Sequence, residues 1–199
     1  MMEFYASRKR NVNKGYWMSF ENHPRLTETK RNIYVRCVPC LEKLFWQLDQ
    51  LDNAPSSLLL EEPLNCWKVV VTLDNEEESL ALLEAYQDYQ EKKKISVQGK
   101  SASKSLRGRM GTNDKKNPGI ALIFHLHDEG QRDELLSDLE KLAKEINPRS
   151  RIFIERGCRD LFGSLCGEWE NWQQETSVKN PSVLPFVKEK VAKLLRGEF

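Results

Sequence analysis

Apolar positions along this chain alternate between two periods. Residues 67–73, TrpLysValValValThrLeu, form a β-branched apolar run suited to a central strand. Leu80, Leu83 and Tyr86, flanked by Leu82 and Tyr89, then recur at helical spacing. Asp74 or Asn75 caps that helix, Glu76 to Glu78 sit at its positive end and Lys92 to Lys94 at its negative end. Residues 95–97, IleSerVal, predict a second, short strand, and residues 120–126, IleAlaLeuIlePheHisLeu, a third. Asp128 caps a helix with Leu135, Leu136, Leu139, Leu142, Ala143 and Ile146 on one face, Pro148 stops it, and residues 151–155 predict a fourth strand. The order βαββαβ makes the fold class α+β. With right-handed crossovers it predicts a ferredoxin-like core, a four-stranded antiparallel sheet with two helices on one face.

The flanks extend this unit. Phe4 and Tyr5, a basic turn-rich stretch, and Tyr16 to Phe20 predict an N-terminal hairpin, and residues 32–35 a short strand. Pro39 opens a helix carrying Leu41, Leu44, Phe45, Leu48 and Leu51 that ends near Asn53. AlaProSerSer at 54–57 is a loop and marks a boundary. Beyond Gly157, one helix is predicted to present Leu161, Leu165, Trp169 and Trp172, and a last one runs from Pro185 to Arg196 with Phe186, Val187, Val191, Leu194 and Leu195 on its apolar side. The expected organisation is an N-terminal hairpin and helix extension over 1–56, the core with a basic insertion at 92–118 over 57–157, and a helical tail over 158–199. The tail, the first helix or the hairpin is expected to cover the sheet face that lacks helices.

Charge changes this picture more than composition does. The chain's 199 residues are 39% hydrophobic and carry a net charge of only +1. Residues 92–116 nevertheless hold nine Lys or Arg against one Asp, and residues 1–36 hold eight against three acids, so the rest of the chain is acidic. Segregated charge of this kind is an argument about partners. No run approaches the roughly 18 apolar residues of a membrane span, and the N-terminus lacks the apolar stretch of a signal peptide, so a cytoplasmic protein without membrane contact is expected.

The basic insertion spaces its cations with Gly and Ser, a composition that follows a phosphate backbone and releases counterions from it. The candidate nucleic-acid-binding residues are Arg8, Lys9, Arg10 and Lys14 in the hairpin turn, and Lys100, Lys104, Arg107, Arg109, Lys115 and Lys116 in the insertion. If both loops leave the same end of the sheet, they form one positive rim. GlyLysSer at 99–101 is not a phosphate loop, because that motif needs a glycine where Lys94 stands. Against the RNA-recognition motif, Gly119, Ala121 and Ile123 match the small and aliphatic positions of the third strand, while Ile120 and Leu122 replace its stacking aromatics. Nucleic-acid contact is therefore expected from the insertion or from Phe4, Tyr5, Tyr16 and Trp17. A basic insertion between the second and third strands resembles the thumb hairpin of the RAMP proteins of CRISPR effector complexes. The likeness rests on that loop position alone, and the glycine-rich loop of those proteins has no counterpart at Asn147 to Ser150.

Five cysteines, an odd count, are read first as buried thiols without a disulfide and without a cofactor. The alternative is zinc held by Cys37, Cys40, Cys158 and Cys166, since each pair follows a predicted strand. Cys37 and Cys40 also form a CxxC at a helix start, the place of a redox pair, although Pro39 is explained by helix initiation. His125 and His127 lie on one side of a strand beside Asp128, a pattern that can hold a catalytic metal, with His23 the one other histidine. The functional expectation is a non-enzymatic nucleic-acid-binding protein, RNA favoured, within a ribonucleoprotein with protein subunits. The alternatives are a protein-interaction adaptor that docks through its C-terminal helix, and a cysteine-zinc protein or metal-dependent hydrolase.

Overall fold

The structure, a computed structural model, describes residues 3–6, 16–21, 37–50, 57–96, 107–112 and 119–196. Two strands come first, β1 (Glu3–Ala6) and β2 (Tyr16–Glu21), then helix α1 (Val38–Gln50) and strand β3 (Ser57–Leu59). The central run is β4 (Trp67–Leu73), α2 (Glu76–Ser96), β5 (Arg107–Thr112), β6 (Ile120–Leu126), α3 (Glu129–Ile146) and β7 (Arg151–Arg156). Helix α4 (Arg159–Cys166), strand β8 (Glu175–Ser177) and helix α5 (Leu184–Leu195) follow. The protein is thus a mixed α+β fold. No helix of the described residues is long and apolar enough to cross a membrane.

Six strands pair antiparallel in the order β1-β2-β5-β6-β4-β7. The β-branched run of β4 takes an inner position, where Val69, Val71 and Leu73 point to one face. With Ile120, Leu122 and Phe124 of β6, Met110 of β5 and Phe20 of β2, they meet Leu82, Leu83 and Tyr86 of α2 and Leu135, Leu139 and Ala143 of α3. Phe124 anchors this layer, edge-on to Phe20 at 5.4 Å and to Tyr86 at 6.5 Å between ring centroids. Burying each large apolar side chain contributes about 1.5–3 kcal/mol, so this layer is a major stabilising element. Both helices start on caps that the sequence predicts. Asn75 Oδ1 accepts from Glu78 N–H at 2.9 Å while Glu78 Oε2 accepts from Asp74 N–H, and Asp128 Oδ1 accepts from Gln131 N–H at 2.7 Å.

Two expectations for the central run are corrected. Ile95 and Ser96 end helix α2 instead of forming a strand, since an unbroken Glu, Gln and Lys run with high helix propensity leads into them; Val97 lies outside the described residues. The second strand of the run lies inside the basic insertion, at Arg107–Thr112, where a solvated loop or a long exposed hairpin is expected. Its glycines explain why hydropathy hides it. A Cβ on Gly108 would run into the Ile123 carbonyl and stand 2.5 Å from the Phe20 ring, so this strand packs by lacking side chains.

The N-terminal hairpin does not cover the sheet; β2 pairs with β5 and lengthens it. Helix α1 and the tail build a second core instead. Leu41, Leu44 and Leu48 of α1, Leu58 of β3, Leu161, Phe162 and Leu165 of α4, and Leu184, Val187 and Val191 of α5 pack together with Leu60 and Trp172. Strands β3 and β8 form a two-stranded sheet beside it, unforeseen because each is only three residues long. The predicted tail helix through Trp172 stops at Cys166, because Gly167 takes φ 81° and turns the chain out of the helix. Trp169 then lies in a single 3-10 turn. The strand expected at 32–35 lies outside the described residues.

Candidate nucleic-acid interface

The antiparallel register assigns every second strand residue to the face turned away from α2 and α3. One cross-strand row runs Trp17, Gly111, Ala121, Thr72, Arg151, and the next runs Ser19, Arg109, Ile123, Val70, Phe153. A third places Lys68 between His125 and Glu155. This face therefore carries Trp17, Arg109, Arg151, Phe153 and Lys68 around small and aliphatic positions. The Arg109 guanidinium lies over the Trp17 ring, 5.5 Å from its centroid, and both side chains are half-buried. Phe153 is 42% exposed. Lys68 is buried, with its Nζ 4.0 Å from Asp160 Oδ1, so at that end of the face the positive charge is partly balanced.

Of the ten predicted contact residues, Arg107 and Arg109 lie within the described residues, both on β5. Arg8, Lys9, Arg10, Lys14, Lys100, Lys104, Lys115 and Lys116 lie outside them. The strands nonetheless fix where the segments bearing them attach. Tyr16 pairs with Thr112, so the chain enters β2 at the same sheet end at which it leaves β5. The segments that hold Arg8 to Lys14 and Lys115 and Lys116 join the sheet there. The segment with Lys100 and Lys104 joins at the other end, where Arg107 pairs with Glu21. Six of the ten predicted cations thus lie in segments that join the sheet at one end, two lie in a segment that joins at the other, and Arg107 and Arg109 lie on β5 itself.

The sequence misses Trp17 and Arg109 as a pair, because cross-strand register is invisible until β5 is recognised as a strand. It also misses Lys68, Arg151 and Phe153. The absence of stacking aromatics from β6 does hold on the face turned away from α2 and α3. Ile120 and Leu122 are core residues, and the outward positions are Ala121, Ile123 and His125.

His125 is half-buried and His127 exposed, and Asp128 is engaged as the cap of α3. His23 lies outside the described residues. Cys37, Cys40 and Cys158 gather near the start of β4. Cys166 ends helix α4 in the second core, where burial pushes its thiol up to about 11. Among the described residues no three His, Cys, Asp or Glu side chains stand, as placed, where they could hold a metal ion. Comparison of the chain with models of protein families, with curated proteins and with solved structures finds no match.

Proposed function

We propose that this chain is a non-enzymatic nucleic-acid-binding protein, with RNA its preferred ligand, acting as one subunit of a ribonucleoprotein. The observation that carries this reading is the stacking of Arg109 on Trp17, on adjacent strands of the sheet face turned away from α2 and α3. An arginine supplies a charged fork for phosphate and a tryptophan supplies a flat surface for an unstacked base. Single-stranded RNA offers both groups together. Basic segments attached to the same strands extend the charge along a ligand's backbone. The strand order β5-β6-β4-β7, with α2 and α3 packed on one face, supports placing the central unit in the ferredoxin-like class. The adaptor reading draws less support, because the apolar residues Leu184, Val187 and Val191 of α5 are spent inside the second core.

The test is a fluorescence-anisotropy series with single- and double-stranded RNA and DNA across salt concentrations. Single-stranded RNA is expected to bind most tightly, with affinity falling steeply as salt rises. Absence of binding to all four ligands at low salt would overturn the proposal.

A further inference from the structure

Three segments distant in the chain meet where β4 begins and β7 ends. Gly157 N–H donates to the Cys66 carbonyl at 2.8 Å, which sets Cys66 beside the turn that carries Cys158. The approach is close, since a Cβ on Gly157 would come within 2.9 Å of the Cys66 Cβ. Cys37 and Cys40 stand at the start of α1, separated by two residues of which one is Pro39. Cys158 lies within electrostatic reach of Cys40, and Cys66 within reach of both Cys158 and Cys37. The sequence-derived set is therefore altered by one member. Cys66, which directly precedes a strand, joins the group, whereas Cys166 stands at the far end of α4 among apolar side chains.

We propose that Cys37, Cys40, Cys66 and Cys158 form a tetrathiolate site for a zinc-class divalent cation, which ties α1 to the sheet at the β4 and β7 ends. The ligand chemistry selects the metal, because four soft sulfur donors favour zinc over hard cations such as magnesium or calcium. A CxxC at a helix start supplies two ligands from one turn, and two separate strand ends supply the others. Closure requires the thiols to rotate about χ1 from their present positions, in which no three of them could hold a metal ion, toward Zn–S distances of about 2.3 Å. The filled site is doubly negative. Arg156 beside Cys66 and Lys68 beside Cys158 supply compensating positive charge. The role is structural, since every ligand position is filled by protein and none is open to a substrate.

The test uses the full chain, reduced, free of affinity tag and purified without added metal. Elemental analysis is expected to find about one equivalent of zinc per chain. Cobalt(II) added to the chelator-stripped protein is expected to give thiolate-to-cobalt charge transfer and tetrahedral d–d bands. Cys166→Ser should keep both signals, and Cys66→Ser and Cys158→Ser should lose them. Substoichiometric zinc together with no thiolate–cobalt band in the intact chain would overturn the proposal. So would a Cys166→Ser variant that loses metal as fully as Cys66→Ser, or a Cys40–Cys158 disulfide in protein kept under reducing conditions. Should Cys66→Ser fail to fold, the intact chain and Cys166→Ser still decide the matter.

Discussion

The Arg156 guanidinium lies against the Trp67 ring, its Cζ 3.4 Å from the ring centroid, and Arg156 Nη1 donates to the Leu64 carbonyl. A second guanidinium, that of Arg132, stands 4.0 Å from the same ring, and Trp169 meets it edge-on. These contacts join the sheet to the turn of chain before β4. Burial lowers the pKa of Arg156, so its charge is held there against a desolvation cost.

Replacing Arg156 by Ala is expected to cost about 1–3 kcal/mol, through lost cation–π stacking and an unpaired buried carbonyl. Arg132→Ala should cost less, because the partners of Arg132, Asp133 and Glu129, are exposed carboxylates. Urea unfolding of the two variants checks the order. Equal losses would mean that the ring's position does not depend on Arg156.

Gly108→Ala forces a methyl group into the Ile123 carbonyl and the Phe20 ring, so a loss of about 1–3 kcal/mol is expected. Gly119→Ala is the control. Its added Cβ would meet only the Leu73 carbonyl at 3.4 Å, and a change within about 0.5 kcal/mol is expected. Thermal unfolding of the pair measures the contrast, and a tolerated Gly108→Ala would remove β5 from its place between β2 and β6.

Alkaline conditions should weaken the second core through Cys166. Its thiol is raised from 9.0 to about 11, chiefly by burial, with Lys179 opposing. Below about pH 9 the thiol keeps its proton in both folded and unfolded chains, and the stability difference is fully present. As pH rises toward 11 the unfolded chain ionises first, so stability falls, by at most about 2–3 kcal/mol for a shift of this size. Cys166→Ala carries a constant packing cost but should lose this extra decline. Urea midpoints compared at about pH 8 and pH 10 test it; an equal alkaline decline in the variant would assign the effect to other groups.

Binding should depend on the cations around β5 and not on its backbone. Excising residues 98–118 would delete Arg107–Thr112, the strand that joins β2 to β6, and so would disturb the fold as well as the charge. Changing Lys100, Lys104, Lys115 and Lys116 to Gln leaves that strand intact. Each lost phosphate contact is expected to flatten the salt dependence by roughly 0.7–0.9 in log–log slope. Trp17→Ala should weaken single-stranded RNA with little change of slope, because stacking carries no counterion term. An unaltered slope in the lysine variant would show that these side chains do not meet the ligand.

The elements legible in the sequence are those whose side chains do the packing. Residues 67–73 and 120–126 alternate or run apolar because they are inner strands, and the Asp128 cap and Pro148 stop bracket α3. Strand β5 is illegible because two of its six residues are glycines and two are arginines, so its only apolar signal is Met110. That error spread to the site. With β5 read as part of a solvated loop or an exposed hairpin, Arg109 stands out as a cation but is not paired with Trp17. Cys66 escaped notice for a related reason, since its proximity to Cys158 is set by the pairing of β4 with β7 and not by sequence spacing.

The second core is discontinuous along the chain, and this has a consequence during synthesis. Helix α1 leaves the ribosome early with Leu41, Leu44 and Leu48 on one side, yet the surfaces that cover them belong to α4 and α5. The sheet unit, whose last strand is β7, can close while α1 still waits for its partners. The nascent protein therefore carries an uncovered leucine stripe until α5 emerges, and ribosome stalling before Leu184 would leave that stripe open to holdase chaperones or to other nascent chains.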